Sequence, residues 1–231
     1  MGLKSLTGWL QTLMFLLNYL DVDASPQVNA HSLLPVADDE GVNLLTSIKI
    51  PFDDPYLYFD SGIDGFPTFG LKPGSDIKQP YRLFMPEKFY PEFAITATVK
   101  LKSREGGFLF AVVNPLETIV QLGVQLASLG SGLTNISLLY TDVSKKYSSQ
   151  TIASFEVPSS FSKWTRIAFK VTASDVALFF NCGKYEVVKV TRETQELVFD
   201  SASILYVGQA GLIIKGPLNR KAPQSTNIIW K

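Results

Sequence analysis

The sequence contains few of the residues that most often carry chemistry. Its 231 residues include one cysteine, Cys182, and one histidine, His31. Zinc centres depend on His and Cys ligands, and a nucleophilic triad needs a histidine inside the fold. His31 lies instead in a polar segment near the beginning of the chain. These absences argue against a zinc site built from His and Cys and against a catalytic triad.

The chain also lacks an excess of charge of either sign. Its 21 basic and 21 acidic residues cancel, which argues against a dedicated nucleic-acid binder because such a protein needs a basic excess. The 16 glycines form no Gly-X-Y tract. Local basic patches remain compatible with this composition.

No apolar run is long enough to cross a bilayer comfortably. Residues 1–24 have the pattern of a secretory signal: Lys4, then the short apolar stretch 10–20, then small residues before Ser25. An amphipathic N-terminal helix is the alternative. We therefore expect a signal peptide at 1–24, a flexible leader at 25–41 and a secreted, extracellular protein.

A lone cysteine is unusual in a secreted chain, where thiols are usually paired. Three explanations for Cys182 are open. Its disulfide partner lies outside this chain, or it bonds another molecule, or it is a buried core residue.

Alternating apolar and polar residues predict an all-β fold. In Phe93–Lys102, Ile95, Ala97, Val99 and Leu101 share one side, while threonines and lysines share the other. Short strands of this kind with polar turns predict an antiparallel β-sandwich or jelly roll. The further predicted strands are Tyr56–Phe59, Tyr81–Met85, Phe108–Val113, Ile119–Val124, Asn135–Tyr140, Thr151–Val157, Trp164–Val171, Ala177–Cys182, Tyr185–Val190 and Ile204–Val207.

Two segments are less regular. Val42–Ile50 fits a short helix or a first strand, and 66–80 reads as loop with a short strand near Phe69. The tail, 212–231, contains Pro217 and Pro223, which disfavour a central strand.

Basic residues on the outer side of the predicted strands suggest a binding surface. If the strand faces adjoin, they form a cationic patch suited to a sulfated polysaccharide. Charges that merely solvate an outer face are the alternative. The candidate glycosaminoglycan-binding residues are Lys100, Lys102, Arg104, Arg166 and Lys170, with Lys145, Lys146, Lys184, Lys189 and Arg192 as further contributors.

Two other site types follow from the residues. Asp53, Asp54, Asp60 and Asp64 lie in predicted turns and could converge on calcium, although turn aspartates often bond their own backbone. Asn135-Ile136-Ser137 is a glycosylation sequon. No predicted strand carries the pair of carboxylates that a sandwich glycosidase needs.

An ordered set of segments resembles a known family. The resemblance covers roughly 42–211 and is to the N-terminal thrombospondin-like domain, a laminin-G-type sandwich, of the collagen XV/XVIII (multiplexin) family. The segments that carry it are Gly106–Ala111, Gln121–Leu126, Asn135–Thr141, Ala153–Pro158, Lys163–Ala168, Val176–Cys182 and Val207–Gly211.

This resemblance implies a non-enzymatic binding module of a basement-membrane collagen, with no cofactor and no catalytic residues to transfer. Some relatives bind heparin, so the implied partners are matrix proteins and sulfated polysaccharides, with trimerisation if a collagenous region follows. The alternative function is a free secreted lectin-like protein with a calcium-assisted glycan site, and a sandwich hydrolase ranks third.

Two departures from the family pattern stand out. In this domain type a closing strand follows the Gly-Gln-Ala-Gly segment, and residues 212–231 show none by pattern. The cysteine that matches Cys182 pairs in relatives with one near or beyond that strand, and this chain holds no such partner. The resemblance therefore implies an atypical or truncated C-terminal end.

Overall fold

The chain divides into residues 1–41 and 42–231, and the structure concerns almost entirely the second part. The computed structural model describes residues 41–102, 106–142 and 147–214, together with the backbone of 228–230. The predicted signal and leader, His31, Arg104, Lys145 and Lys146 therefore lie outside the described residues. Within these ranges, no helix is long and apolar enough to cross a membrane.

The described residues form antiparallel strands joined by turns and two short 3₁₀ helices, Leu44–Ser47 and Tyr81–Leu83. In chain order the strands are β1 (Leu57–Ser61), β2 (Pro67–Leu71), β3 (Ile77–Pro80), β4 (Phe93–Leu101), β5 (Gly106–Val113), β6 (Val120–Gly130), β7 (Leu133–Tyr140), β8 (Thr151–Pro158), β9 (Thr165–Val171), β10 (Asp175–Phe180), β11 (Gly183–Lys189), β12 (Ile204–Val207) and β13 (Ile228–Trp230).

The strands make two sheets. The seven-stranded sheet has the order β1-β2-β13-β4-β9-β10-β11, and the six-stranded sheet has the order β3-β12-β5-β6-β7-β8. Among the described residues, all pairs of neighbouring strands are antiparallel. The predicted fold class, an antiparallel β-sandwich, is confirmed.

The core lies between the sheets because each strand turns alternate residues inward. Val99 and Leu101 from β4 meet Phe155 and Val157 from β8 in one buried cluster, together with Phe169 from β9. A smaller cluster, which includes Leu139 and Tyr206, lies on the other face of the six-stranded sheet. Leu139 belongs to that face because its neighbours along β7 point into the main core.

Two expectations need correction, and one open alternative is decided. Tyr81–Leu83 is a 3₁₀ helix, not a strand, and the predicted loop at 66–80 contains β3 as well as β2. Short apolar runs do not distinguish such elements by periodicity alone. Val42–Ile50 forms the Leu44–Ser47 helix, begun by the Asn43 side chain, which accepts from the amide of Leu45 at 3.0 Å.

The expectation that 212–231 lacks a closing strand is also wrong. β13 pairs with β2 on one side and with β4 on the other, so it occupies a central place in the seven-stranded sheet. Pro217 and Pro223 do not oppose this, because both precede the strand. Without β13, the facing edges of β2 and β4 would have no partner in this sheet.

Candidate functional site

The predicted basic surface maps onto two neighbouring strands. β4 and β9 turn alternate residues outward, and these include Lys100 on β4 and Arg166 and Lys170 on β9. Ile167, Phe169 and Val171 are buried, as predicted. β4 and β9 pair directly, so the condition that the two strand faces adjoin is met. We call the outer surface of these two strands, with its three cations, the basic face.

The register sets the spacing of the cations. Thr98 lies opposite Arg166, and Lys100 is two residues further along β4, which makes it a diagonal neighbour of Arg166 at roughly 7–8 Å between backbones. Lys170 lies opposite Ala94 and is four residues from Arg166, a separation of about 13 Å along the strand. The three cations are therefore spread along a surface and are not focused on one point.

The sheet surface between these cations carries small side chains. Thr96 lies opposite Ala168, and Lys170 faces Ala94 on one side and Ala177 of β10 on the other. Short residues leave the long basic side chains standing above a flat sheet. That shape admits an extended chain lying across the strands more readily than a compact ligand held in a pocket.

Lys102 differs from the other predicted binding residues. Its Nζ lies 2.9 Å from Asp60 Oδ2 and donates to the Tyr58 hydroxyl at 2.9 Å. The bond to Tyr58 and the nearby Asp60 raise the pKa of Lys102, while the bond from Lys102 lowers the pKa of Asp60. Lys102 is thus partly neutralised and links β1 to the end of β4. Arg104 lies outside the described residues.

Tyr58, which the sequence did not single out, packs against Gly70 and lies close to two lysines. The Tyr58 ring covers Gly70, because a Cβ on Gly70 would overlap the ring atoms. The Lys102 and Lys72 ammonium groups lie 4.9 and 5.5 Å from the ring centroid, which is cation–π distance. Gly70 and Tyr58 are cross-strand partners, and that pairing is not readable before the strand register is known.

The further basic residues divide between surface and interior. Lys184 lies opposite Phe179 and Lys189 opposite Asp175, both on β11 at the far edge of the same sheet. Arg192 is only 7% exposed. Its guanidinium donates to the carbonyls of Pro91 at 2.7 Å and Thr172 at 2.8 Å. The expectation that Arg192 adds to the outer basic surface is wrong, because it is a buried tie between loops.

Arg192 also lines an open polar pocket of about 280 Å³. The pocket lies between the ends of β7 and β8 and the segment that follows β11, and its other charged residues are Asp142, Lys189 and Glu193. Asp142 is buried and accepts from the Thr194 hydroxyl. Two of the charged residues of this pocket, Arg192 and Asp142, are thus engaged by contacts within the protein.

Cys182 lies at the turn between β10 and β11. The turn uses positive φ angles at Asn181 (49°) and Cys182 (70°). The thiol is exposed, and its Sγ accepts from Arg166 Nη1 at 3.6 Å. The alternative that Cys182 is a buried core residue is wrong, whereas a disulfide to a partner outside this chain stays a prediction.

The sequon asparagine is the third residue of β7, on the outer face of the six-stranded sheet. The Asn135 amide oxygen accepts from Ser154 Oγ at 2.7 Å, and its amide nitrogen donates to Ser137 Oγ at 3.3 Å. A glycan on Asn135 would replace one of the two hydrogens of this amide nitrogen, leaving one hydrogen to donate. Glycosylation of this residue stays a prediction.

The expected convergence of turn aspartates on calcium does not occur. In the described ranges no group of three or more His, Cys, Asp or Glu residues is placed to hold a metal ion. Asp54 accepts from the amides of Tyr56 and Asp76 at 2.8 and 2.9 Å, and Asp64 accepts from the amide of Phe66 at 3.4 Å. Such bonds to nearby backbone are the ordinary role of turn aspartates.

Comparison with known proteins finds that the chain is similar in sequence to a collagen. The chain is 30% identical over 159 residues to the human collagen alpha-1(XVIII) chain. The resemblance to the collagen XV/XVIII family is thereby confirmed. The match covers 69% of this chain and 9% of that protein, so the chain spans about a tenth of the length of its curated relative. No protein-family model matches the chain.

Solved structures similar to the chain include domains LG4-5 of the mouse laminin alpha1 chain, with 12% identity and a TM-score of 0.42 over 68% of this chain and 38% of that one. They also include a heptameric SAP-like pentraxin from Limulus polyphemus, with 13% identity and a TM-score of 0.44 over 61% of this chain and 62% of that one.

Proposed function

We propose that this domain is an extracellular matrix binding module that binds a sulfated polysaccharide of the heparin or heparan sulfate type through the basic face. The observation that carries the proposal is the register of β4 and β9, which places Lys100 and Arg166 side by side and Lys170 about 13 Å further along one surface. The sequence similarity to a collagen supports a secreted matrix location and a structural, non-enzymatic role.

The chemistry of the face suits a linear polyanion. Sulfate groups recur along such a chain, and spaced point charges recognise repeated anions better than a single focused pocket does. The small residues Ala94, Thr96 and Ala168 let the polymer approach the sheet. Exposed charges are screened over roughly 8 Å at physiological salt. Binding through this face is therefore expected to weaken steeply as salt is added.

The test compares two double variants with equal loss of charge. Arg166→Ala with Lys170→Ala removes two cations of the basic face. Lys78→Ala with Arg82→Ala removes two cations from β3 and the 3₁₀ helix that follows it, away from this face. Retention on heparin resin and titration calorimetry report the affinity.

Wild type and the Lys78/Arg82 variant are expected to elute at similar salt concentrations. The Arg166/Lys170 variant is expected to elute earlier and to bind at least about tenfold more weakly, about 1.4 kcal/mol. Equal losses in both variants would show that binding follows total charge and not this surface. Calcium chelation is expected to leave retention unchanged, whereas its loss on chelation would favour a calcium-assisted glycan site.

A further inference from the structure

One aromatic side chain, Phe179 of β10, lies on the outer surface of the seven-stranded sheet beside the basic face. Its neighbours along the strand, Leu178 and Phe180, pack in the main core, whereas Phe179 belongs to neither buried cluster. Its cross-strand partner on β9 is Ala168, which lies on the outward side of that strand. Because cross-strand partners share a face of the sheet, Phe179 also points outward.

The strand register surrounds Phe179 with three cations. Arg166 and Lys170 lie two residues before and after its partner on β9, so both are its diagonal neighbours at roughly 7–8 Å between backbones. Lys184 of β11 lies directly opposite Phe179 on the other side, at about 5 Å between Cβ atoms. An apolar ring thus occupies the middle of a triangle of positive charge.

The ring of Phe179 is not occupied by contacts with other rings or cations of the protein. The residue is partly exposed. Across residues 41–102, 106–142 and 147–214, ring–ring and cation–π contacts involve other aromatic side chains. The next residue, Phe180, by contrast packs on Phe161 and Tyr185. Phe179 is therefore left partly open to a ligand.

The register also places two cations and the ring on one line. Lys100 is two residues beyond the partner of Arg166 on β4, and Arg166 is two residues before the partner of Phe179 on β9. Each step is a diagonal of roughly 7–8 Å between neighbouring strands, and both steps run in the same direction. A linear chain laid along this diagonal crosses the two cations and then the ring, between Lys170 and Lys184.

The combination of a ring and cations suits a sugar better than a bare string of sulfates. A pyranose ring has a face of C–H groups, which packs on the electron-rich face of an aromatic ring. Its sulfate and carboxylate substituents project from the edge of the sugar ring, where surrounding cations reach them. Point charges alone would bind a sulfated polymer without any aromatic residue between them.

We propose that Phe179 is a stacking platform for one sugar ring of the polysaccharide, while the three surrounding cations bind anionic groups on that sugar and its neighbours. This inference rests on the proposed function and deepens it. It makes Phe179 a specificity-determining residue that favours sulfated sugars over linear polyanions without rings. It also extends the binding surface from β4 and β9 across β10 to Lys184 on the edge strand β11.

The test separates the ring from the charges by comparing two polymers. Heparin carries its sulfates on sugar rings, whereas polyvinyl sulfate carries them on an alkyl chain. Phe179→Leu keeps an apolar side chain that can pack on the sheet but removes the flat ring. Titration calorimetry of the full chain at several salt concentrations gives the affinity of each variant for each polymer.

Phe179→Leu is expected to bind heparin about fivefold more weakly than wild type, because one stacking contact is lost. Its salt dependence and its affinity for polyvinyl sulfate are expected to match wild type, because no cation is removed. Phe179→Tyr keeps the ring and is expected to bind both polymers as wild type does. Phe66→Leu, at a 68% exposed position between β1 and β2, is the matched control and is expected to change neither affinity.

Unchanged heparin affinity in Phe179→Leu, or an equal loss for both polymers, would overturn this inference. The first result would show that the ring does not contact the sugar, and the second that Phe179 only shapes the sheet beneath the cations. Arg166→Ala with Lys170→Ala tests the proposed function separately. If this double variant is weakened while Phe179→Leu is not, the stacking platform alone fails, whereas a double variant that binds heparin as wild type does contradicts the proposed function.

Discussion

Replacement of Arg192 by methionine is expected to be among the most destabilising single changes outside the apolar core. The guanidinium ties three separate segments at one end of the sandwich. It donates to the carbonyls of Pro91 at 2.7 Å, Thr172 at 2.8 Å and Gln195 at 3.1 Å. It also lies 5.3 Å from the Tyr140 ring centroid. Each of these contacts depends on one buried side chain.

The expected magnitude comes from opposing terms. Hydrogen bonds from a charged donor contribute about 1.5–3 kcal/mol each, and an acceptor left buried without a partner costs about 1–3 kcal/mol. Methionine avoids the cost of burying a cation, which offsets part of the loss. The two shortest bonds, to Pro91 and Thr172, are expected to account for most of the change in the free energy of unfolding. We expect Arg192→Met to lower the free energy of unfolding by about 3 kcal/mol.

Urea unfolding followed by tryptophan fluorescence measures this change. Arg166→Met is the control, because Arg166 is exposed and surface substitutions usually change stability by no more than about 0.5 kcal/mol. Arg192→Lys keeps the charge but cannot reach all three carbonyls, so it is expected to fall between wild type and Arg192→Met. An Arg192→Met protein as stable as the Arg166→Met control would refute the assignment of Arg192 as a structural tie.

Three further predictions follow from contacts in the two sheets. Burial and the 2.5 Å bond to Glu117 raise the pKa of Tyr206 above its ordinary 10.0. The stability contributed by the neutral phenol is therefore complete below about pH 10 and is lost as pH rises further. Tyr206→Phe should flatten that decline when the free energy of unfolding is measured against pH. Gly70→Ala should lower the free energy of unfolding by about 1 kcal/mol, because the new Cβ displaces the Tyr58 ring. In a double-mutant cycle, the same substitution in a Tyr58→Ala background should lower it by much less. An equal loss in both backgrounds would show that the ring does not cause the effect. Ile229→Pro removes a backbone donor from β13 and should lower stability by about 3 kcal/mol in thermal unfolding; no change would contradict the central place of β13.

β4 and β9 were predictable because one side of each strand is more buried than the other. Phe93–Lys102 and Trp164–Val171 alternate apolar and polar residues, and a shift of one residue would have turned every apolar side chain outward. The outward direction of Lys100, Arg166 and Lys170 followed from the same alternation. That β4 and β9 are neighbours is a long-range pairing, which the local pattern leaves open.

Other features depend on contacts between distant segments. Lys102 contacts Asp60 although β2 and β13 lie between their strands, so this ion pair has no signal in the sequence near Lys102. Arg192 follows a strand in a polar stretch that looks exposed, yet it is buried because three carbonyls converge on it. β13 has only three residues, too few for alternation to show.

The basic face itself is tested most directly by lysine footprinting. Acetylation of the full chain, with and without saturating heparin, is read at each lysine by mass spectrometry. Modification of Lys100 and Lys170 is expected to slow on heparin binding, while Lys78, whose side chain is 54% exposed on the other sheet, is expected to react unchanged. Protection of Lys78 to the same degree, or no protection of Lys100 and Lys170 while heparin is bound, would contradict the account.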